Sequence, residues 1–542
     1  MDFKNKYLNQ RYEKFELESE IDKLKQENDS IRKENKYLKS TKAFKAFNKY
    51  LKRKDAKAYE LLNGNSTRNL KDIKVAIIAD QFTYDSFKYE FRTVSILPDR
   101  WEQQFESEKP DLFFCESVWD GHNYTTKLGP WRDKVSKDMT SDEENRGELL
   151  EILKYCRKNS IPSVFWNKED PPHYRGEKIS YAETAKEFDY IFTSSEECIK
   201  HYEKDFNHKN VHSLMFAAQP KLFNPLYCGE KIDEIAFAGS YYENHPERVR
   251  LMDDIFDRLI EDGEKLLIFD RNYYKDWANY PERFSEYVNP PLEYTDIPEI
   301  YKKMKWGLNF NIVTQSKTMF ARRVFELALS NVYIITNSSV GVEEIFKDNI
   351  FVFDKRNDLP DFSKDYEKER LDNLYNVLEN HTYTERWKQI LDTIGFNYSE
   401  DKNDITVIYR LNDANTDDIV ANFREIDYED KRLWLLVDDK KDFGELKGKF
   451  SEINEVYSKD DLNQIKGNLK TEFWMLADEY VPGDFVKKAM LHYKYLNRKV
   501  SIAHGEEKFI LDIEKAVENK VIHRSNIDFI DDKEKEIDVY YI

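Results

Sequence analysis

Arg322 and Arg323 stand side by side, and Glu326 lies one helical turn beyond Arg322. Two guanidiniums just inside a helix can neutralise a departing diphosphate, where negative charge grows in the transition state. A carboxylate on the same helical face can accept both hydroxyls of a vicinal diol. The polar run Thr314-Gln315-Ser316-Lys317-Thr318 precedes the helix, and its hydroxyls at Ser316 and Thr318 suit phosphate or sugar oxygens. Upstream, Gly239 and Ser240 close an apolar run, and the missing side chain at Gly239 would let the backbone approach a phosphate. In isolation, Arg322 and Glu326 are also an ordinary i, i+4 ion pair worth about 0.2–0.5 kcal/mol. Taken alone the ion pair is the better reading, and the place of the pair in a second βαβ domain after a Gly turn moves the balance toward ligand binding.

A second set of groups suits the other half of a group transfer. Glu169, Asp170 and His173 fall in the loop KEDPPHY, directly after an apolar run, and Pro171 and Pro172 stiffen it. A carboxylate or imidazole placed there can take the proton of an attacking hydroxyl. The competing reading, of equal weight, is that Asp170 caps the turn and His173 packs. The loop ESVWDGHNYTTKLGPW (Glu116–Trp131) is aromatic and punctuated by glycine, so it suits either stacking on a sugar ring or an ordinary surface role. Cys115, Cys156, Cys198 and Cys228 lie far apart with no CxxC pair, which predicts reduced thiols and no zinc site. No metal and no tightly held cofactor are expected.

These groups need strand ends to hold them, and the chain supplies strands in alternation with helices. VAIIAD, DLFFCES, SVFWN, DYIFTS and VHSLMFA alternate with helical stretches such as Gly147–Asn159. The series restarts with EIAFAGS, KLLIFD, WGLNFNI, VYIITN and IFVFD, and a charged helical stretch at Asp365–Leu391 closes it. Short apolar runs joined by amphipathic helices predict βαβ units and parallel sheets, whose ligands sit at strand carboxyl ends. Two successive domains of this kind, 70–230 and 231–398, give the twin Rossmann-like GT-B plan. A third block, 402–542, reads as a small α/β domain. Residues 1–62 read as a helix in which Leu17, Ile21, Leu24, Asn28, Ile31, Asn35 and Leu38 follow a heptad, predicting a parallel dimer through a coiled coil.

Residues 74–397 resemble the CgeB-like, spore-maturation-type glycosyltransferases of Gram-positive bacteria. The likeness is carried by FWNKEDPPHY, FDYIFTSSEECIKHY, FAAQPKLFNP, IAFAGSYYENHPERV and FARRVFELALSNVYIITNSS. It implies a GT-B enzyme that moves a sugar from a nucleotide-sugar donor to a hydroxyl acceptor, without metal. It also implies wall polymers such as teichoic acid, surface polysaccharides or surface proteins as acceptors. Many retaining GT-B enzymes carry a Glu eight positions before the ribose-binding Glu; Thr318 stands there in this chain, so a retaining outcome is not implied. LADEYVPGDF resembles the region where family 2-like GT-A enzymes bind metal, but Asp478-Glu479-Tyr480 lacks the second Asp, which predicts a non-catalytic domain. Two other functions fit the same shell: a glycan- or nucleotide-binding assembly protein, and a polyol-phosphate transferase.

Composition excludes other classes. The chain has 542 residues, 40% hydrophobic and 35% charged, with a formal net charge of −19. That balance opposes general nucleic-acid binding, which requires a basic surface. With neither an apolar leader nor a run of about 18 apolar residues, the expected location is cytoplasmic, with peripheral attachment to the inner face of a membrane left open.

Overall fold

The computed structural model describes residues 68–122, 129–227, 229–275, 280–411, 416–438, 443–477, 480–505, 509–515, 517–530 and 536–542. The expected coiled coil lies outside the described residues, as do Asp478 and Glu479. The chain divides into two compact units, residues 69–398 and residues 399–542. No helix among the described residues is long and apolar enough to cross a membrane.

The larger unit holds two parallel sheets. The first is built from β1 (Lys74–Ile78), α1 (Gln81–Phe87), β2 (Arg92–Ser95), α2 (Trp101–Glu108) and β3 (Leu112–Glu116). It continues through α3 (Gly147–Asn159), β4 (Ser163–Asn167), β5 (Tyr190–Thr193), α4 (Ile199–Phe206) and β6 (Val211–Ser213). The strand order is β2-β1-β3-β4-β5-β6 with every pair parallel. Strands β3 and β4 are buried on both faces, as the unbroken apolar runs predicted. Helix α3 buries Leu149, Ile152, Leu153 and Cys156 in steps of three and four against this sheet and ends at Ser160 in a left-handed conformation.

The second sheet restarts the pattern with β7 (Ile232–Ala238), α5 (Pro246–Glu261), β8 (Lys265–Phe269), β9 (Val288–Asn289), α6 (Ile297–Tyr301) and β10 (Met304–Asn309). It ends with α7 (Arg323–Leu329), β11 (Tyr333–Thr336), α8 (Val340–Phe346), β12 (Phe351–Val352), α9 (Glu367–Asn380) and α10 (Tyr383–Ile394). The order β9-β8-β7-β10-β11-β12, all parallel, changes winding direction between β7 and β10. Ligands collect at such a switch point.

The closing helical stretch does not belong wholly to the second half, contrary to the expected boundary. It breaks into α9 and α10, and α10 packs into the core of the first sheet. Tyr383, Trp387, Ile390 and Leu391 are fully buried there among Ile73, Phe87, Phe91 and Trp166. The Phe87 and Tyr383 ring centroids are 4.8 Å apart, and those of Phe91 and Trp387 4.7 Å. Each such side chain contributes about 1.5–3 kcal/mol through burial.

The smaller unit is α/β with a mixed sheet. Its elements are β13 (Ile405–Arg410), α11 (Thr416–Glu425), β14 (Lys431–Val437), α12 (Phe443–Lys449), β15 (Ile453–Ser458), α13 (Leu462–Asn468) and β16 (Phe473–Ala477). They are followed by α14 (Phe485–His492), β17 (Ser501–Ala503), β18 (Leu511–Glu514), β19 (Lys520–His523) and β20 (Ile537–Tyr541). The order is β15-β14-β13-β16-β19-β17-β20-β18; the first four strands are parallel, and β19 joins β16 antiparallel.

Candidate active site

The switch point between β7 and β10 ends in Ala238 and Asn309. Arg323, the first residue of α7, reaches both: it donates to the Ala238 carbonyl and, at 3.4 Å, to Asn309 Oδ1. Its guanidinium lies 4.8 Å from the Phe237 ring centroid. This explains Gly239. A Cβ there would stand 2.5 Å from Phe237 Cζ and 3.1 Å from Arg323 Nη2, so glycine makes the room that both need. The Gly239 amide is already spent on the Phe269 carbonyl at 3.0 Å, and its carbonyl accepts from Tyr280 at 2.7 Å. The expected phosphate contact from this amide is therefore replaced by a role in seating Arg323.

Two further arginines join Arg323, and sequence reasoning passed over both. Arg248 on α5 is buried, donates to the Ser240 carbonyl at 2.9 Å, and lies 5.6 Å from the Tyr242 ring. Arg271, after β8, donates to the Tyr242 hydroxyl at 2.9 Å and stands 5.6 Å from the same ring. Burial, with Arg323 next in weight and Arg271 adding to it, pulls the Arg248 guanidinium down to about 10. None of the three forms an ion pair with a carboxylate among the described residues. Ser240, behind them, is buried with its hydroxyl unpartnered. Like charges gathered in a half-buried site repel unless an anion sits among them.

Arg322 does something different from Arg323. Its Nε donates to Glu326 Oε1 at 2.9 Å, and Tyr294 donates to the same oxygen at 3.1 Å. Its guanidinium stacks 4.3 Å from the ring of Phe82, which comes from the first sheet's half, and 5.4 Å from Tyr294. Burial opposes the charge on Arg322, but Glu326 together with Tyr294 and Tyr383 outweighs it and holds the guanidinium protonated. The i, i+4 pair therefore forms, and Arg322 ties the halves together rather than joining the cationic cluster. Glu326 is buried, with one carboxylate oxygen occupied.

The loop before α7 is fixed by a polar network of side chains. Asn309 Nδ2 donates to Asn311 Oδ1 and Thr336 Oγ1, each at 3.1 Å, and the Asn311 amide donates to Asn337 Oδ1 at 2.7 Å. Ser316 and Thr318 are engaged across the halves: Ser316 Oγ donates to Glu197 at 2.7 Å, and Thr318 Oγ1 accepts from the Glu196 amide at 2.8 Å. Both hydroxyls thus clamp the two sheets together, in place of the expected bonds to a donor.

On the first sheet's side the loop after β4 separates its three candidates. Asp170 is fully buried; its carboxylate accepts from Asn167 at 2.7 Å, Thr193 at 2.6 Å and Tyr202 at 3.1 Å. Burial pushes it up to about 7 against the pull of those hydroxyls. Its partners are side chains of β4, β5 and α4 rather than turn amides, so Asp170 is a buried structural group rather than a base exposed to a ligand; the amide of Glu169 donates to Asn167 Oδ1 instead, at 3.2 Å. Glu169 is only half-buried, and its carboxylate makes no hydrogen bond or ion pair among the described residues. His173 is half-buried, with its ring edge-on to Trp119 at 5.2 Å. It also lies near His245, whose pKa is held below its ordinary value by burial, Arg248 and His173. His173 therefore lies near the turn that precedes Arg248.

Beneath them lies a charged core that the sequence did not reveal. Lys168 Nζ is 2.9 Å from Asp80 and 3.2 Å from Glu116, at the carboxyl ends of β1, β3 and β4. Burial pushes Glu116 up to about 7 against the attraction of Lys168. Lys168 also sits 4.5 Å from the Phe82 ring that carries Arg322. No cluster of three or more His, Cys, Asp or Glu side chains able to hold a metal occurs among the described residues.

Residues 248–392, which contain Arg248, Arg271, Arg323 and Glu326, match a family model described as glycosyl transferase-like. No curated protein matches the chain in sequence. Among solved structures, one similar to this chain is an alpha-glucosyltransferase in complex with UDP and a 13-mer DNA containing a HMU base. It is 12% identical with a TM-score of 0.43, covering 60% of this chain and 100% of that one. TarM is 10% identical with a TM-score of 0.35, covering 52% of this chain and 54% of its own. The N-terminal domain of Candida albicans trehalose-6-phosphate phosphatase is 11% identical with a TM-score of 0.33, covering 56% and 75% respectively. At such scores the chemistry must be argued from the side chains themselves.

Proposed function

We propose that the chain is a glycosyltransferase that moves a sugar from a nucleoside-diphosphate donor to a hydroxyl acceptor. The observation that carries this is the cluster of Arg248, Arg271 and Arg323, uncompensated by carboxylates, at a Rossmann switch point within the glycosyl transferase-like segment. The acceptor oxygen bonds to the anomeric carbon, and the bond from that carbon to the diphosphate oxygen breaks. The electron pair leaves with the diphosphate, into the field of the three guanidiniums, where preorganised positive charge lowers the barrier. These cations occupy the place a divalent metal would take, so turnover is expected without one. Glu169, half-buried and unbonded, receives the acceptor's proton, and Glu326 takes the ribose diol. A cytoplasmic enzyme acting on a wall polymer, surface polysaccharide or surface protein, and dimeric through its N-terminal helix, completes the proposal.

The test is calorimetric titration with UDP, GDP, CDP and inorganic pyrophosphate, followed by release of nucleoside diphosphate from the matching sugar nucleotides. Wild type should bind at least one nucleoside diphosphate, and Arg323→Ala should weaken it about ten- to a hundred-fold. Absence of heat with every nucleotide and with pyrophosphate overturns the reading.

A further inference from the structure

We propose that Trp119 is the platform on which the acceptor docks, and that the acceptor is therefore a glycan presenting a pyranose ring. The inference rests on the transfer reaction proposed above and names its second substrate. Trp119 is 42% exposed, so a broad face of the indole is open to solvent. It is also held still. The Asp80 carboxylate accepts the amide of Trp119 at 3.1 Å, that of Asp120 at 3.0 Å and that of Gly121 at 2.9 Å. Asp80 is itself fixed by Lys168 at 2.9 Å. The indole packs against His173 at 5.2 Å and Tyr181 at 5.7 Å, both nearly edge-on, at 84° and 81°. A rigid aromatic surface of this kind binds the apolar C–H face of a pyranose at little entropic cost.

Its place fits an acceptor rather than a donor. The His173 ring, in contact with the indole, lies near His245 on the turn before Arg248. Glu169 lies on the same loop as His173, and its charge is felt by Tyr181 beneath the indole. A pyranose stacked on Trp119 would thus lie next to His173, four residues along the same loop from Glu169. An acyclic polyol phosphate has no ring face to offer this surface.

The experiment is saturation-transfer NMR on the full-length protein at millimolar methyl β-D-glucopyranoside, methyl β-D-galactopyranoside and methyl N-acetyl-β-D-glucosaminide, with glycerol 3-phosphate as the acyclic comparison. Wild type should saturate ring protons of at least one pyranoside more strongly than the carbon-bound protons of glycerol 3-phosphate. Trp119→Ala should reduce that signal by about tenfold, and Trp119→Phe should retain most of it. Pyrophosphate calorimetry on each variant reports whether the fold and donor side are intact. No signal from any pyranoside, or one unchanged in Trp119→Ala, overturns the platform while leaving the donor reading standing if pyrophosphate binds. Pyranoside binding that depends on Trp119 in a protein that binds neither pyrophosphate nor nucleotide overturns the acceptor assignment through the failure of the transfer reaction itself.

Discussion

Arg248→Met separates a binding site from a structural contact, because the two predict opposite signs. Arg248 is 8% exposed and titrates at about 10, against 12.5 for a free guanidinium. A cation whose folded pKa is depressed costs the folded state stability at every pH below that value. Held that far below its ordinary value, the charge on Arg248 costs about 3 kcal/mol at neutral pH. Against this stand the hydrogen bond to the Ser240 carbonyl, about 1 kcal/mol, and the contacts with Tyr242 and Phe310, about 0.5–2 kcal/mol. Methionine keeps the length and apolar stem while deleting the charge. The expected result in urea unfolding at neutral pH is a protein as stable as wild type, or more stable by up to about 2 kcal/mol. The same variant should lose about ten- to a hundred-fold in affinity for pyrophosphate, since each charge-assisted bond is worth about 1.5–3 kcal/mol. A variant clearly less stable than wild type that binds pyrophosphate equally well would refute the reasoning and leave Arg248 as a structural residue.

If Glu326 takes the ribose diol as proposed, Glu326→Gln should weaken nucleoside-diphosphate binding by about tenfold or more yet leave pyrophosphate unaffected; parallel titrations with both ligands check this. Asp170 carries a proton more readily in the folded state (about 7) than free (3.8), so stability should fall as pH rises through that window, by about 4 kcal/mol at most. Asp170→Asn should remove the slope between about pH 4 and pH 7 in urea titrations, and a slope identical to wild type would assign it to other groups.

Short-range signals were legible, and long-range ones were not. Apolar runs such as SVFWN and DLFFCES located the strands because a buried parallel strand leaves an unbroken run in sequence. Arg322, Arg323 and Glu326 were found because they share one turn, but what separates the roles of the two arginines is the company of Phe82 and Ala238, distant in the chain. Asp170 looked like an exposed acid beside two prolines. It turns inward because Thr193 and Tyr202 supply hydroxyls, a fact no local pattern contains. Arg248 did leave a trace: it sits in phase with Met252, Ile255 and Leu259 on the buried stripe of α5, where a charged residue has no packing reason to be. Arg271 left none, since it lies in a loop and its partners come from other elements.

Helix α10 ties the chain's timetable to its architecture. The first sheet is complete by Ser213, but the groove over Ile73, Phe87, Phe91 and Trp166 stays uncovered until Tyr383–Ile394 has been made. During synthesis, at about 5–20 residues per second, that apolar surface waits roughly ten to thirty seconds for its own last helix. The interval is one in which a chaperone or a neighbouring nascent chain competes for the same groove. A fragment ending before Tyr383 carries the exposed groove permanently. A portion that is to fold around the first sheet must therefore run past Ile394, although that sheet ends well before it.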